Sequence, residues 1–150
     1  MTSSSPAKRP SRDLFSPRFR SELMARIKGK GNKTTEEKMA AEFRREGIGG
    51  WRRHAKLPGR PDFTFPREKL CVFVHGCFWH GCPKCYRAPA TNTDFWNKKV
   101  LTNRRRDRRV ARMLRAKGYK VLTVWECQLK AKVRPRSLKR IARALAHRRH

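Results

Sequence analysis

One short run constrains this chain more than any other: His75-Gly76-Cys77-Phe78-Trp79-His80-Gly81-Cys82-Pro83-Lys84-Cys85. Its cysteines follow the pattern C-x4-C-x2-C, and Cys127 stands apart, just past an apolar segment. Cys77, Cys82, Cys85 and Cys127 together make a four-thiolate set, and thiolates at tetrahedral spacing favour Zn2+. The competing reading leaves one or two of them as inert buried cysteines. Cys71 lies among Leu70, Val72 and Phe73 and reads as a buried core thiol. A purely structural knuckle has no use for the residues between the ligands. Phe78 and Trp79 could stack on bases, and His75 and His80 could move protons.

The charge narrows the partner. Lys and Arg number 40 against 11 Asp and Glu, for a net charge of +29 over 150 residues. That excess predicts a polyanion, nucleic acid foremost. A histone-like or ribosomal protein would share it, so charge alone does not predict catalysis. No apolar stretch is long enough to span a bilayer, and the N-terminus lacks the apolar centre of a signal peptide. The expected compartment is the reducing cytoplasm, where clustered cysteines favour metal over disulfide.

The length suits one domain. Residues 1–17 are rich in Ser, Pro and Arg and read as a disordered basic arm, leaving 18–150 as the folded domain. Leu23, Met24 and Ile27 suggest a short helix over 21–28. Thr34-Thr35-Glu36-Glu37 reads as a capping box, with Glu37 at its third position, opening a helix to about Gly47. Trp51–Lys56 reads as a strand, and Leu57–Pro61 as a turn. Asp62–Phe65 and Leu70–Val74 form a hairpin joined at Pro66–Lys69. Thr93 caps a helix from Asp94, and a second helical stretch runs from about Asn103 to Lys117, closed by Gly118. Tyr119–Trp125 is an apolar strand, and Ser137 caps a last helix with Leu138, Ile141 and Leu145 on one face. The order α-β-β-β-α-β-α, with Pro61-Asp62 opening the second strand, predicts an α/β fold like that of the PD-(D/E)xK nucleases: a mixed central sheet flanked by helices.

The likeness extends to particular segments. Leu57-Pro58-Gly59-Arg60-Pro61-Asp62-Phe63, His75-Gly76-Cys77-Phe78-Trp79-His80, Pro89-Ala90-Thr91, Phe95-Trp96 and Trp125-Glu126-Cys127 together resemble the very-short-patch repair (Vsr) DNA mismatch endonucleases. They span about residues 21–130. The resemblance implies an Mg2+-dependent enzyme that nicks DNA at T:G mismatches left by deaminated 5-methylcytosine. It also implies a structural zinc site, in which one ligand position is often histidine; Cys82 stands there in this chain.

The candidate residues follow. Asp62, a carboxylate after a rigid turn, can reach Mg2+; as a turn aspartate it would need no metal. The second strand offers no further carboxylate or lysine. The resemblance implies the main-chain carbonyl of Val74 as second ligand, at a position where the family often carries a hydroxyl residue. It makes His80 the general base and His75 a support for phosphate or water; the competing reading is structural or zinc-binding histidines. Asp107 shares a helix face with Val110, Ala111 and Leu114, so it points toward the sheet, and the resemblance has it orient the base. The resemblance also places an active-site glutamate at Glu37, where a capping role alone would suffice. Phe78, Trp79 and Trp96 are implied wedges beside the mismatched pair. The implied setting is a monomer in the bacterial cytoplasm, bound to duplex DNA at the nucleoid, with other mismatch-repair proteins as further partners. The alternatives are a related nuclease with another DNA target and a non-catalytic, zinc-stabilised nucleic-acid binder.

Overall fold

The computed structural model describes residues 35–130, 132 and 134–147. The arm at 1–17, the helix at 21–28 and the cap at Thr34 lie outside the described residues.

Helix α1 is seen over residues 35–45. Strands β1 (Arg52–Arg53), β2 (Phe63–Phe65), β3 (Leu70–His75) and β4 (Lys120–Trp125) form one sheet in the order β1-β2-β3-β4. The first two pairings are antiparallel, and β3 pairs with β4 in parallel. Between β3 and β4 run a helical turn, α2 (Cys77–His80), and a long helix, α3 (Thr93–Ala116). A 3-10 turn (Glu126–Leu129) and helix α4 (Arg134–Ala146) close the order. This is a mixed α/β fold.

Strand alternation divides the sheet into two unlike faces. Phe63 pairs with Val72, Phe65 with Leu70, and Val74 with Val124. These side chains share one face and are buried with Met39, Ala40 and Phe43 of α1 and Leu138 and Ile141 of α4. Phe43 sits edge-on against Phe63 and Phe65, with centroids 5.1 and 5.7 Å away. The intervening residues Thr64, Cys71, Phe73, His75 and Thr123 belong to the other face, which α3 covers in part. Cys71 is fully buried there.

Several expected boundaries move, each for a physical reason. The strand expected over Trp51–Lys56 is only Arg52–Arg53, because His54 turns to a left-handed φ of 50°. The two helices expected after Asp94 are one 24-residue helix; no Gly or Pro interrupts it before Gly118. Its cap is Asn92, while Thr93 Oγ1 donates backwards to the carbonyls of Pro89 and Ala90. Ser137 lies inside α4 rather than at its cap, since Pro135 already suits the first turn. It is buried, and its hydroxyl faces the Gln128 carbonyl at 3.5 Å. Phe78 and Trp79, expected in a loop, form the helical turn α2.

Candidate active site and thiolate cluster

The turn before β2 is shaped by close approach to α3. Gly59 has a φ of 71°, and a Cβ there would lie 2.4 Å from Val110 Cγ1. Glycine alone fits. Asp62 follows at the strand start, and its Oδ2 accepts a hydrogen bond of 2.7 Å from the Val74 amide. Val74 thus meets Asp62 through its N–H, while its side chain is buried in the core. Burial pushes the Asp62 carboxyl up to about 7; the Val74 hydrogen bond opposes that rise, and the Glu36 carboxyl adds to it.

That second carboxyl corrects the sequence reading by one residue. Glu37 is exposed, whereas Glu36 is buried at 6% exposure and belongs to the Asp62 group. The cause is helical phase. Met39, Ala40 and Phe43 face the core, and a residue three, four and seven positions before them shares their face. Position 36 meets all three spacings, to Met39, Ala40 and Phe43, whereas position 37 meets only the one to Ala40. The hydrophobic spacing therefore held the signal, but the capping-box register concealed it. Arg53 Nη2 lies 2.6 Å from Glu36 Oε2 and His54 Nε2 3.2 Å from the same oxygen.

His75 ends β3 and His80 ends α2, and their rings stack with centroids 3.9 Å apart and planes 6° from parallel. Trp125, paired with His75 across the parallel strands, stands edge-on at 5.4 Å. Burial lowers His75 to about 4, with the His80 charge adding to the effect and Asp107 opposing it. His75 is therefore a neutral ring near pH 7. His80 Nδ1 lies 2.6 Å from Asp107 Oδ2. Burial pulls the Asp107 carboxyl upward, but the hydrogen bond and charge of His80 outweigh it and hold it below the usual carboxylate range. An ionised Asp107 can only accept, so the Nδ1 proton donates, and the neutral form of His80 carries its lone pair on Nε2. That is the equipment of a proton acceptor.

Two residues missed by the sequence reading hold this turn. Asn103 Nδ2 donates to the Trp79 carbonyl at 2.7 Å, and Arg104 donates to the carbonyls of His80 and Gly81. Together they satisfy three carbonyls that a one-turn helix leaves open. Gly81, with φ 64°, sits so close to Val100 and Arg104 that a Cβ would clash at 2.4 Å. The α2 turn also carries the aromatic residues. Phe78 packs edge-on against Trp79 and Trp96, each at 5.2 Å, and the exposed ring of Phe95 borders the group.

One cleft joins these pieces. Asp62, His75, His80 and Asp107 line it together, with Arg60 and Arg106 on its walls. Beyond it, Arg108, Arg112 and Arg115 of α3 extend the basic surface.

The cysteine cluster lies just past the strand ends. The Sγ atoms of Cys77, Cys82, Cys85 and Cys127 lie within 4.8 Å of one another, and Cys82 and Cys127 are 3.8 Å apart. Four Zn–S bonds of about 2.3 Å in a tetrahedron place sulfurs roughly 3.8 Å apart, so the donor set fits that ion. Burial pushes the Cys77 thiol up. Burial acts the same way at Cys82, but the amides of Lys84 and Cys85 outweigh it and lower that thiol.

A carboxylate-held imidazole in a cleft walled by arginines is an arrangement suited to hydrolysing a phosphate diester. Comparison with known proteins agrees. The sequence profile of the family described as DNA mismatch endonuclease Vsr matches residues 12–87. The type II nicking enzyme V.XorIIP of Xanthomonas oryzae is 40% identical over 121 residues, 78% of this chain and 86% of that protein. The DNA mismatch endonuclease Vsr of Escherichia coli is 41% identical over 99 residues, 65% of this chain and 63% of that protein. The type II nicking enzyme V.NmeAIP of Neisseria meningitidis is 37% identical over 123 residues, 80% of this chain and 86% of that protein. The chain belongs to the Vsr DNA mismatch endonuclease family and is a DNA endonuclease. Among the described residues, no helix is long and apolar enough to cross a membrane.

Proposed function

We propose that this endonuclease nicks duplex DNA beside T:G mismatches, with catalytic Mg2+ at Asp62 and structural Zn2+ in the thiolate cluster. The observation that carries the reading is the shared cleft: Asp62 and the His80–Asp107 pair face one space, and α2 joins His80 to Phe78 and Trp79. Hydrolysis joins a water oxygen to phosphorus and releases one strand oxygen. His80 Nε2 takes the water proton, and Asp107 stabilises the imidazolium that results. His75, neutral and stacked on His80, holds that ring in place without adding a second charge. Arg60 and Arg106 offset the charge on the phosphate.

Asp62 would hold the divalent cation, with the Val74 carbonyl and Glu36 beside it. When bound, that cation polarises the phosphate and the water as a Lewis acid. Phe78, Trp79 and Trp96 are the wedge: large rings on a basic surface can enter the stack where a mispair weakens it. The implied setting is the bacterial cytoplasm, with the enzyme acting as a monomer and the nick passed to other mismatch-repair proteins.

The deciding measurement compares duplexes that differ only by T:G against C:G, incubated with Mg2+. A nick confined to the T:G duplex is expected. Equal cleavage of both, or of neither, would overturn the substrate assignment. Elemental analysis should find about one zinc per chain.

A further inference from the structure

Glu36, His54 and Asp62 place three potential ligand atoms within 4.8 Å of one another. This group is separate from the one formed by His75, His80 and Asp107. Its members come from the first turn of α1, the segment after β1 and the start of β2. The two carboxyls are the enclosed members, while His54 is exposed and stands on the solvent side. His54 also has a φ of 50°, a left-handed conformation uncommon outside glycine. Such outliers gather where function requires them. Its ring reaches the Glu36 carboxylate at 3.2 Å, beside the Arg53 guanidinium.

The donor chemistry of this group is mixed. Two carboxylates alone form a hard oxygen site suited to Mg2+. An imidazole nitrogen added to them shifts preference toward transition metals, because nitrogen donors suit those ions and Mg2+ favours oxygen. The inference rests on the Asp62 cation site proposed above. We propose that His54 supplies an imidazole nitrogen to that site, so that besides the Mg2+ of the proposed reaction it also accepts Mn2+ or Co2+, and binds them more tightly. The ring now faces Glu36 through Nε2. Moving its proton to Nδ1 frees the Nε2 lone pair for a cation, with no net change in charge on the ring. Arg53 keeps its hold on Glu36 and orients that carboxylate.

The test is an electron paramagnetic resonance titration of Mn2+ into the full chain as purified, with Mg2+ as competitor. In His54→Ala the Mn2+ Kd should rise at least about tenfold and the Mg2+ Kd by less than about threefold, since even indirect support of a ligand is felt on the former scale. His54→Gln, which retains a hydrogen-bonding group toward Glu36 but lacks the imidazole, should behave like His54→Ala. Equal weakening of both metals, or rescue by glutamine, would show that His54 only positions Glu36 and would overturn the inference. Unchanged Mn2+ binding in His54→Ala would do the same. Asp62→Asn separates the two proposals. If it abolishes Mn2+ binding while His54→Ala does not, the site stands and His54 is no ligand; if Asp62→Asn binds Mn2+ normally, the cation site itself is wrong.

Discussion

The two faces of the sheet are built from alternate residues of the same strands, yet they do opposite work. On the α1 and α4 side, Phe63, Phe65, Leu70, Val72 and Val74 are all at most 1% exposed. On the α3 side, Asp62, Phe73, His75 and Thr123 border an open cleft. Neighbouring residues therefore differ in what a substitution can damage. The filled face carries stability, because each lost methylene removes apolar contact and leaves a void. The open face tolerates polar groups, because Asp62, His80 and Asp107 each have a named partner. The lesson is that stiffness and chemistry are separated by a single step along a strand.

The largest effect that would test this division belongs to the open face. His80→Ala should lower the nicking rate by about 10²–10⁴-fold, the usual contribution of a positioned general base. Its melting temperature should stay near that of the unaltered protein. A rate within tenfold would mean that another group takes the proton. Next comes the filled face, where Phe43→Ala should destabilise folding by about 3–5 kcal/mol. Denaturant titration measures that loss, and the rate per folded molecule should stay unchanged. A variant with normal stability and poor catalysis would break the separation.

The smallest effect sharpens the comparison through pH. Asp62 is raised from 3.8 to about 7 on folding, so it contributes stability below 3.8 that is lost as pH rises through about 7. His75 is lowered from 6.5 to about 4, so its contribution is present above 6.5 and is lost as pH falls through about 4. Between these limits the two slopes oppose each other. Asp62→Asn leaves the His75 slope alone. Without added divalent cation, its melting temperature should climb from pH 4 to 6.5 more steeply than that of the unaltered protein. Parallel curves would remove Asp62 from the buried, cleft-facing role.

Much of this division was legible in the chain, because it rests on periodicity. The alternation of Leu70–Val74 and the spacing of Leu138 and Ile141 announce the filled face. Asp107 could be placed on the sheet-facing side of its helix from Val110, Ala111 and Leu114. Glu36 was displaced by one residue because two adjacent glutamates compete for one reading, and only the burial of Met39 and Phe43 settles the phase. Asn103 and Arg104 were invisible because they act on main-chain carbonyls, which carry no sequence signature. His54 was hidden for a related reason. It lies in what reads as a strand, and the turn that aims its ring depends on backbone conformation.

The cysteine positions have a consequence for strand registration. His75 pairs with Trp125 at the ends of β3 and β4, and Cys77 and Cys127 each stand two residues further on. The sulfurs therefore extend the ladder, and the Cys127 amide donates to Cys77 Sγ at 3.4 Å. A slip of one residue would move Cys127 by about 3.3 Å and turn it to the opposite side. The four sulfurs could not then meet. Parallel strands joined by a long crossover are slow to find one another and prone to misalignment. With the proposed Zn2+ bound, the cluster would penalise that error at the two strands that carry His75 and Trp125, and so would proofread the alignment on which the cleft depends.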